Sequence, residues 1–127
     1  MKLPGLDAAI LCRQRIADIY NDGLAGIDGL SLPVVRAGRG HQQYLYTIRT
    51  ERRNDLMNYL TLQGIESKIN YPDPIHLMRG YGFLGYAPGA LPVTERLAET
   101  ILSIPLYPEL PEDQAAEVVA VIRRFHA

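Results

Sequence analysis

A run of strand-like alternation that two prolines cut short constrains this chain more than any other feature. Behind Gly64, the residues Ile65, Ser67 and Ile69 alternate with Glu66, Lys68 and Asn70, which is the period of a strand with one face buried. Pro72 and Pro74 must end that strand. Neither has a backbone N–H for a ladder, and each drives the residue before it, Tyr71 and Asp73, into an extended conformation. The exit is therefore stiff, and it carries Lys68, Asn70, Tyr71, Asp73 and His76, groups able to hydrogen-bond or titrate. A solvated, proline-rich loop at a strand end is the ordinary reading of such residues. The functional reading is the wall of a binding site.

The rest of the chain is read around this segment. From Asp7, a candidate N-cap, the residues Leu6, Ile10, Ala17, Tyr20 and Leu24 recur at helical steps, with Ile16 and Ile19 widening the stripe and Gly23 and Gly26 ending it. That predicts an amphipathic helix with apolar residues on more than one flank. Ile27 to Leu32 reads as a turn, Leu32 to Val35 as a short strand, and Arg36 to His41 as a basic loop. Gln43 to Arg49 alternates and is rich in β-branched and aromatic residues, so it predicts a strand. Arg52 to Gln63 places Leu56, Tyr59 and Leu60 on one helical face, and with the strands on either side it predicts a β-α-β unit. Met78 to Gly89 is aromatic, glycine-rich and irregular. Pro92 to Leu102 reads as a short helix opened by proline, and Ser103 to Tyr107 as a brief edge strand, because Pro105 would interrupt a central one. A final helix opens at Pro111, with Glu112 and Asp113 at the positive end of its dipole and Arg123 and Arg124 at the negative end.

Composition narrows the partners. With 127 residues the chain is long enough for one cored domain and not for two. Its 13 basic against 14 acidic residues leave a formal charge of −1, which gives no bulk attraction to nucleic acid or anionic lipid. Cys12 is the single cysteine, and the Met1 to Gly5 start lacks the apolar run of a signal peptide, so a cytoplasmic location and no membrane contact are expected. His41, His76 and His126 have no metal-ligand spacing. Gly80, Gly82 and Gly85 match the spacing of a dinucleotide fingerprint, but prolines stand where its strand and helix belong. The same stretch, Arg79 to Tyr86, fits the aromatic stacking motif of RNA-recognition domains, so a single-stranded RNA-binding module is the alternative function.

Three motifs in order point elsewhere. Asn70-Tyr71-Pro72-Asp73-Pro74-Ile75-His76-Leu77, then Leu91 to Ala98, then Ile104 to Leu110, resemble the C-terminal part of the DegT/StrS-type pyridoxal-phosphate-dependent nucleotide-sugar aminotransferases. The resemblance implies an α+β fold: a small, mostly antiparallel sheet with helices packed on one face, like the C-terminal domain of aspartate-aminotransferase-fold enzymes, preceded by a long amphipathic helix. It implies residues 1–30 as a connecting helix and turn and 31–127 as the small domain. Asn70, Tyr71, His76 and neighbouring Lys68 are its candidate substrate-binding residues. In the family a lysine and an acidic partner for pyridoxal phosphate lie in a large domain, and only Lys2 and Lys68 exist here, neither in a matching motif. The expectation is a small domain, inactive by itself in amino transfer to a keto nucleotide sugar, that needs a large-domain chain or self-association as a dimer.

Overall fold

The structure, a computed structural model, describes residues 3–127, so Lys2 lies outside the described residues. Helix α1 spans Leu6–Leu24 and buries Ile16, Ala17, Tyr20 and Leu24, the later part of the stripe predicted from spacing, while Leu6 at its start is exposed. Asp7 does not cap it. The helix begins one residue earlier, leaving Asp7 in the first turn, where the helix dipole favours a negative charge. Gly23 is inside the helix, because α1 crosses α4 (Glu112–His126) so closely that a Cβ there would stand 2.6 Å from Val119 Cγ1. The end of α1 is closed from α4 as well: Arg123 Nε donates to the Gly23 carbonyl at 2.6 Å, and its guanidinium to that of Ala25 at 3.3 Å.

Three antiparallel strands follow in the order β1 (Leu30–Ser31), β2 (Tyr46–Thr50) and β3 (Ile101–Ile104). Each is displaced from its predicted span. β1 lies ahead of Leu32 to Val35. β2 starts three residues after Gln43, which takes a left-handed conformation, φ 49°, outside the strand region. β3 lies before Pro105 and not across it, so the proline ends a ladder it cannot join.

Alternation places Tyr46 and Ile48 of β2 and Leu102 and Ile104 of β3 on one face, and all four are buried. They meet α1, α4 and α2 (Arg53–Leu62) in a single core, with Leu56 and Leu60 from α2 and Val118, Val121 and Ile122 from α4. On the opposite face the Thr47 and Ser103 hydroxyls pair at 3.0 Å. The fold is thus the α+β arrangement expected. Helix α3 (Pro92–Thr100) runs straight into β3, and Arg53 at the start of α2 donates to the carbonyls of Ala98 and Ile101 across that junction.

The predicted strand Ile65 to Asn70 is the main correction. Its alternation is real, since Ile65 and Ile69 pack on the core while Glu66 and Lys68 are exposed. Its ladder is one pair, in which Lys68 N donates to Ser103 O at 3.0 Å and Ser103 N to Lys68 O at 2.7 Å. The segment and β2 flank β3 on opposite edges, both antiparallel to it. They run in the same direction with β3 between them, and the β-α-β unit keeps its direction without a full second strand.

Candidate functional site

Lys68 to Leu77 forms a strap held at both ends. Its first anchor is the Lys68–Ser103 backbone pair at the sheet edge. Its last is a single 3-10 turn over Ile75–Leu77, closed by Leu77 N donating to Pro74 O at 2.9 Å and fastened to α3 by the contact of His76 with Glu95. Between them Pro72 and Pro74 restrict the backbone, and the Asn70–Tyr71 peptide bond is cis.

The four predicted site residues do not converge on one cavity. Lys68 and Asn70 line an open groove of about 650 Å3 between the strap, the end of β3 and α4. The Lys68 side chain is 70% exposed and forms an ion pair with Glu66 at 3.0 Å. Asn70 Oδ1 is buried and has no hydrogen-bond partner among the described residues. Tyr71 stands out of the strap, 73% exposed. His76 turns the other way and is buried, its Nε2 donating to Glu95 Oε1 at 3.0 Å and the edge of its ring set against Tyr86.

Glu95 is the residue that sequence reasoning passed over. From α3 its carboxylate accepts from three donors: the His76 ring, Gly89 N at 2.7 Å and Leu91 N at 3.0 Å. The Gly89 amide first, then the His76 ring and the Leu91 amide, hold its carboxyl below the ordinary carboxylate range. The available signal was a glutamate just inside a proline-opened helix, placed to reach back to the N-cap residue Leu91 much as a capping-box glutamate does.

The stretch that suggested RNA binding is a 3-10 helix, Arg79–Leu84, closed by Gly85 in the left-handed conformation at φ 71°. It is no part of the sheet, and Phe83 within it is 82% exposed. The stacking motif requires a strand that presents its aromatics from a sheet, and that geometry is absent here. Among the described residues no three His, Cys, Asp or Glu side chains gather as a metal site, and no helix is long and apolar enough to cross a membrane.

A pyridoxal phosphate site needs a lysine aimed at the cofactor and an acid at its ring nitrogen. Lys68, the one lysine among the described residues, is exposed at the rim of an open groove and paired with Glu66, so these residues do not make up such a site.

Comparison with known proteins identifies the family. The model of the DegT/DnrJ/EryC1/StrS aminotransferase family matches residues 1–123. A dTDP-3-amino-3,4,6-trideoxy-alpha-D-glucose transaminase of Micromonospora megalomicea is 44% identical over 126 residues, which cover 96% of this chain and 34% of the relative. The transaminase of that name from Streptomyces venezuelae is 38% identical, over 98% of this chain and 33% of its own length. Among solved structures, S. venezuelae DesV in complex with a ketimine intermediate superimposes with a TM-score of 0.95 at 36% identity, over 98% of this chain and 33% of that one. A Brucella abortus aminotransferase does so with a TM-score of 0.89 at 39% identity, over 99% and 33%. The chain thus spans about a third of the length of these relatives. With nearly all of its residues matched and its fold superimposed, the chain belongs to the DegT/DnrJ/EryC1/StrS aminotransferase family.

Proposed function

We propose that this chain supplies the small-domain part of a pyridoxal-phosphate-dependent sugar aminotransferase that transfers an amino group to a keto nucleotide sugar. The observation that carries the reading is the strap: a proline-stiffened segment, anchored at both ends, that holds Tyr71 outward beside a groove bearing Lys68 and Asn70, with no lysine among the described residues placed for the cofactor. Tyr71, Asn70 and Lys68 are the substrate-facing candidates. His76 is the fourth candidate, and through its bond to Glu95 it also holds the strap in place. The helix and turn of residues 1–30 connect to a large domain that would bring the lysine to hold the cofactor. The whole acts as a paired assembly, with a large-domain chain or a second copy.

The test is reconstitution. A large-domain chain of a relative, lacking the third that this chain resembles, is mixed with this chain, pyridoxal phosphate, an amino donor and a keto dTDP-sugar. Amino transfer is expected from the mixture and from neither chain alone. Borohydride treatment of this chain with the cofactor is expected to leave no stoichiometric label at Lys68. Such a label, or a mixture that assembles and stays inactive, overturns the reading.

A further inference from the structure

The segment from Tyr71 to Leu91 is bound to the body of the molecule by few polar contacts. One carboxylate collects three of them. Glu95 Oε1 accepts from His76 Nε2 and Leu91 N, and Oε2 accepts from Gly89 N. His76 lies ahead of the aromatic loop, and Gly89 and Leu91 lie behind it, so the carboxylate closes the neck of that loop. The loop's own bonds are short-range turns such as Tyr81 N to Met78 O and Gly85 N to Gly82 O, which define its shape without fastening it to the sheet. Its aromatic side chains add little anchorage, since Tyr81, Phe83 and Tyr86 are all exposed.

We propose that Glu95 is a positioning residue, a carboxylate latch that fixes the strap and the aromatic loop together and so sets how Tyr71 is presented. A carboxylate can accept from all three donors at once because both of its oxygens are acceptors only. An amide in its place offers one acceptor oxygen and directs an N–H at a donor. His76 is oriented by the same contact: its Nε2 carries the proton, and Nδ1 has no partner among the described residues. The depressed carboxyl pKa has the same geometric origin, since three donors favour the charged form. The titratable neighbours are His76 itself and Tyr86, edge-on to it, while Arg96 on the same helix is engaged by Glu51 and Glu99.

The substrate side of this inference rests on the proposed function, but the latch does not, and it is tested on this chain alone. Amide hydrogen exchange is measured for Glu95→Gln, with Glu99→Gln as the control on the exposed side of the same helix. Exchange at Leu77, Met78, Gly89 and Leu91 is expected to accelerate about tenfold or more, as the loss of charge-assisted hydrogen bonds implies. Amides of β2 and β3 are expected to hold, and the control to change nothing. In the unsubstituted chain the same four amides are expected to lose protection, after correction for intrinsic rates, as pH falls through the depressed carboxyl pKa and before the core opens. Unchanged exchange in Glu95→Gln overturns the latch. If that variant weakens the whole fold, the acid titration decides: loss of loop and core protection in one step overturns the latch, and earlier loss from the loop supports it. In the reconstituted enzyme Glu95→Gln is expected to raise KM for the sugar more than it lowers kcat. A reconstitution that fails with the unsubstituted chain counts against the proposed function and leaves the exchange result standing.

Discussion

Tyr20 and Tyr46 hold the seam between helix and sheet, and each satisfies its hydroxyl inside the protein. Tyr20 donates to the Pro105 carbonyl at 2.7 Å and Tyr46 to Asn21 Oδ1 at 2.6 Å, with the two rings tilted 5.0 Å apart. Burial disfavours the phenolate. It pushes Tyr46 up to about 12, with the Asp18 charge adding to the effect, and raises Tyr20 further, with Tyr107 and Tyr46 adding. A raised acid pKa adds stability that is whole below the ordinary tyrosine value of about 10 and is lost as pH climbs toward about 12. Ultraviolet titration of the eight tyrosines is therefore expected to show a late fraction that ionises together with unfolding. All eight ionising near pH 10 with no loss of structure would contradict this burial. At the same scale the site was legible only in part. Prolines made the stiffness of Asn70 to His76 readable, because proline acts on its own neighbours. The inward turn of His76 was not readable, because its partner is 19 residues downstream on another helix.

Elements were legible where a single face decides them. α1 and α4 follow apolar spacing, and both appear close to their predicted ends. Strands fared worse, since alternation reports which side is buried and says nothing of how many partners the backbone finds. Ile65 to Asn70 kept its alternation and found one pair, because β3 stops at Pro105, two residues past Ser103. β3 itself was misplaced because Ile101 and Leu102 also fit the apolar stripe of the helix before them. The α1–α4 contact gives the sharpest test at this scale. Gly23→Ala sets a methyl against Val119 where 2.6 Å is available, and overpacking of this kind costs about 1–3 kcal/mol. The urea midpoint is expected to fall with its slope unchanged, and Val119→Ala in the same chain to restore part of the loss. A Gly23→Ala chain as stable as the original would mean that the two helices separate freely at this point.

The molecule as a whole exposes more surface than its size calls for. A compact monomer of 14.2 kDa exposes roughly 6,800 Å2, and this chain exposes 8694 Å2. The exposed large apolar side chains lie mostly away from the first helix, although that helix carries apolar residues on more than one flank. On α1 only Leu6 and Leu11 stand as large exposed apolar groups, whereas Tyr71, Ile75, Phe83, Leu84 and Val93 are exposed along the strap, the aromatic loop and the start of α3. Soluble monomers rarely leave contiguous apolar patches of more than a few hundred Å2 uncovered, and each Å2 of apolar area covered contributes about 25 cal/mol toward association. The free chain is therefore expected to sediment as a concentration-dependent oligomer. Phe83→Ser with Ile75→Ser should shift it toward monomer, while Leu11→Ser should have the smaller effect. Both side chains replaced in the double variant are exposed, so its far-ultraviolet dichroism should match the original, which separates lost association from lost fold. If the large domain is what normally covers this surface, the same double variant should bind that chain more weakly, and an excess of the large-domain chain should dissolve the oligomer. An oligomer that persists in the double variant and yields to Leu11→Ser would return the interface to the first helix.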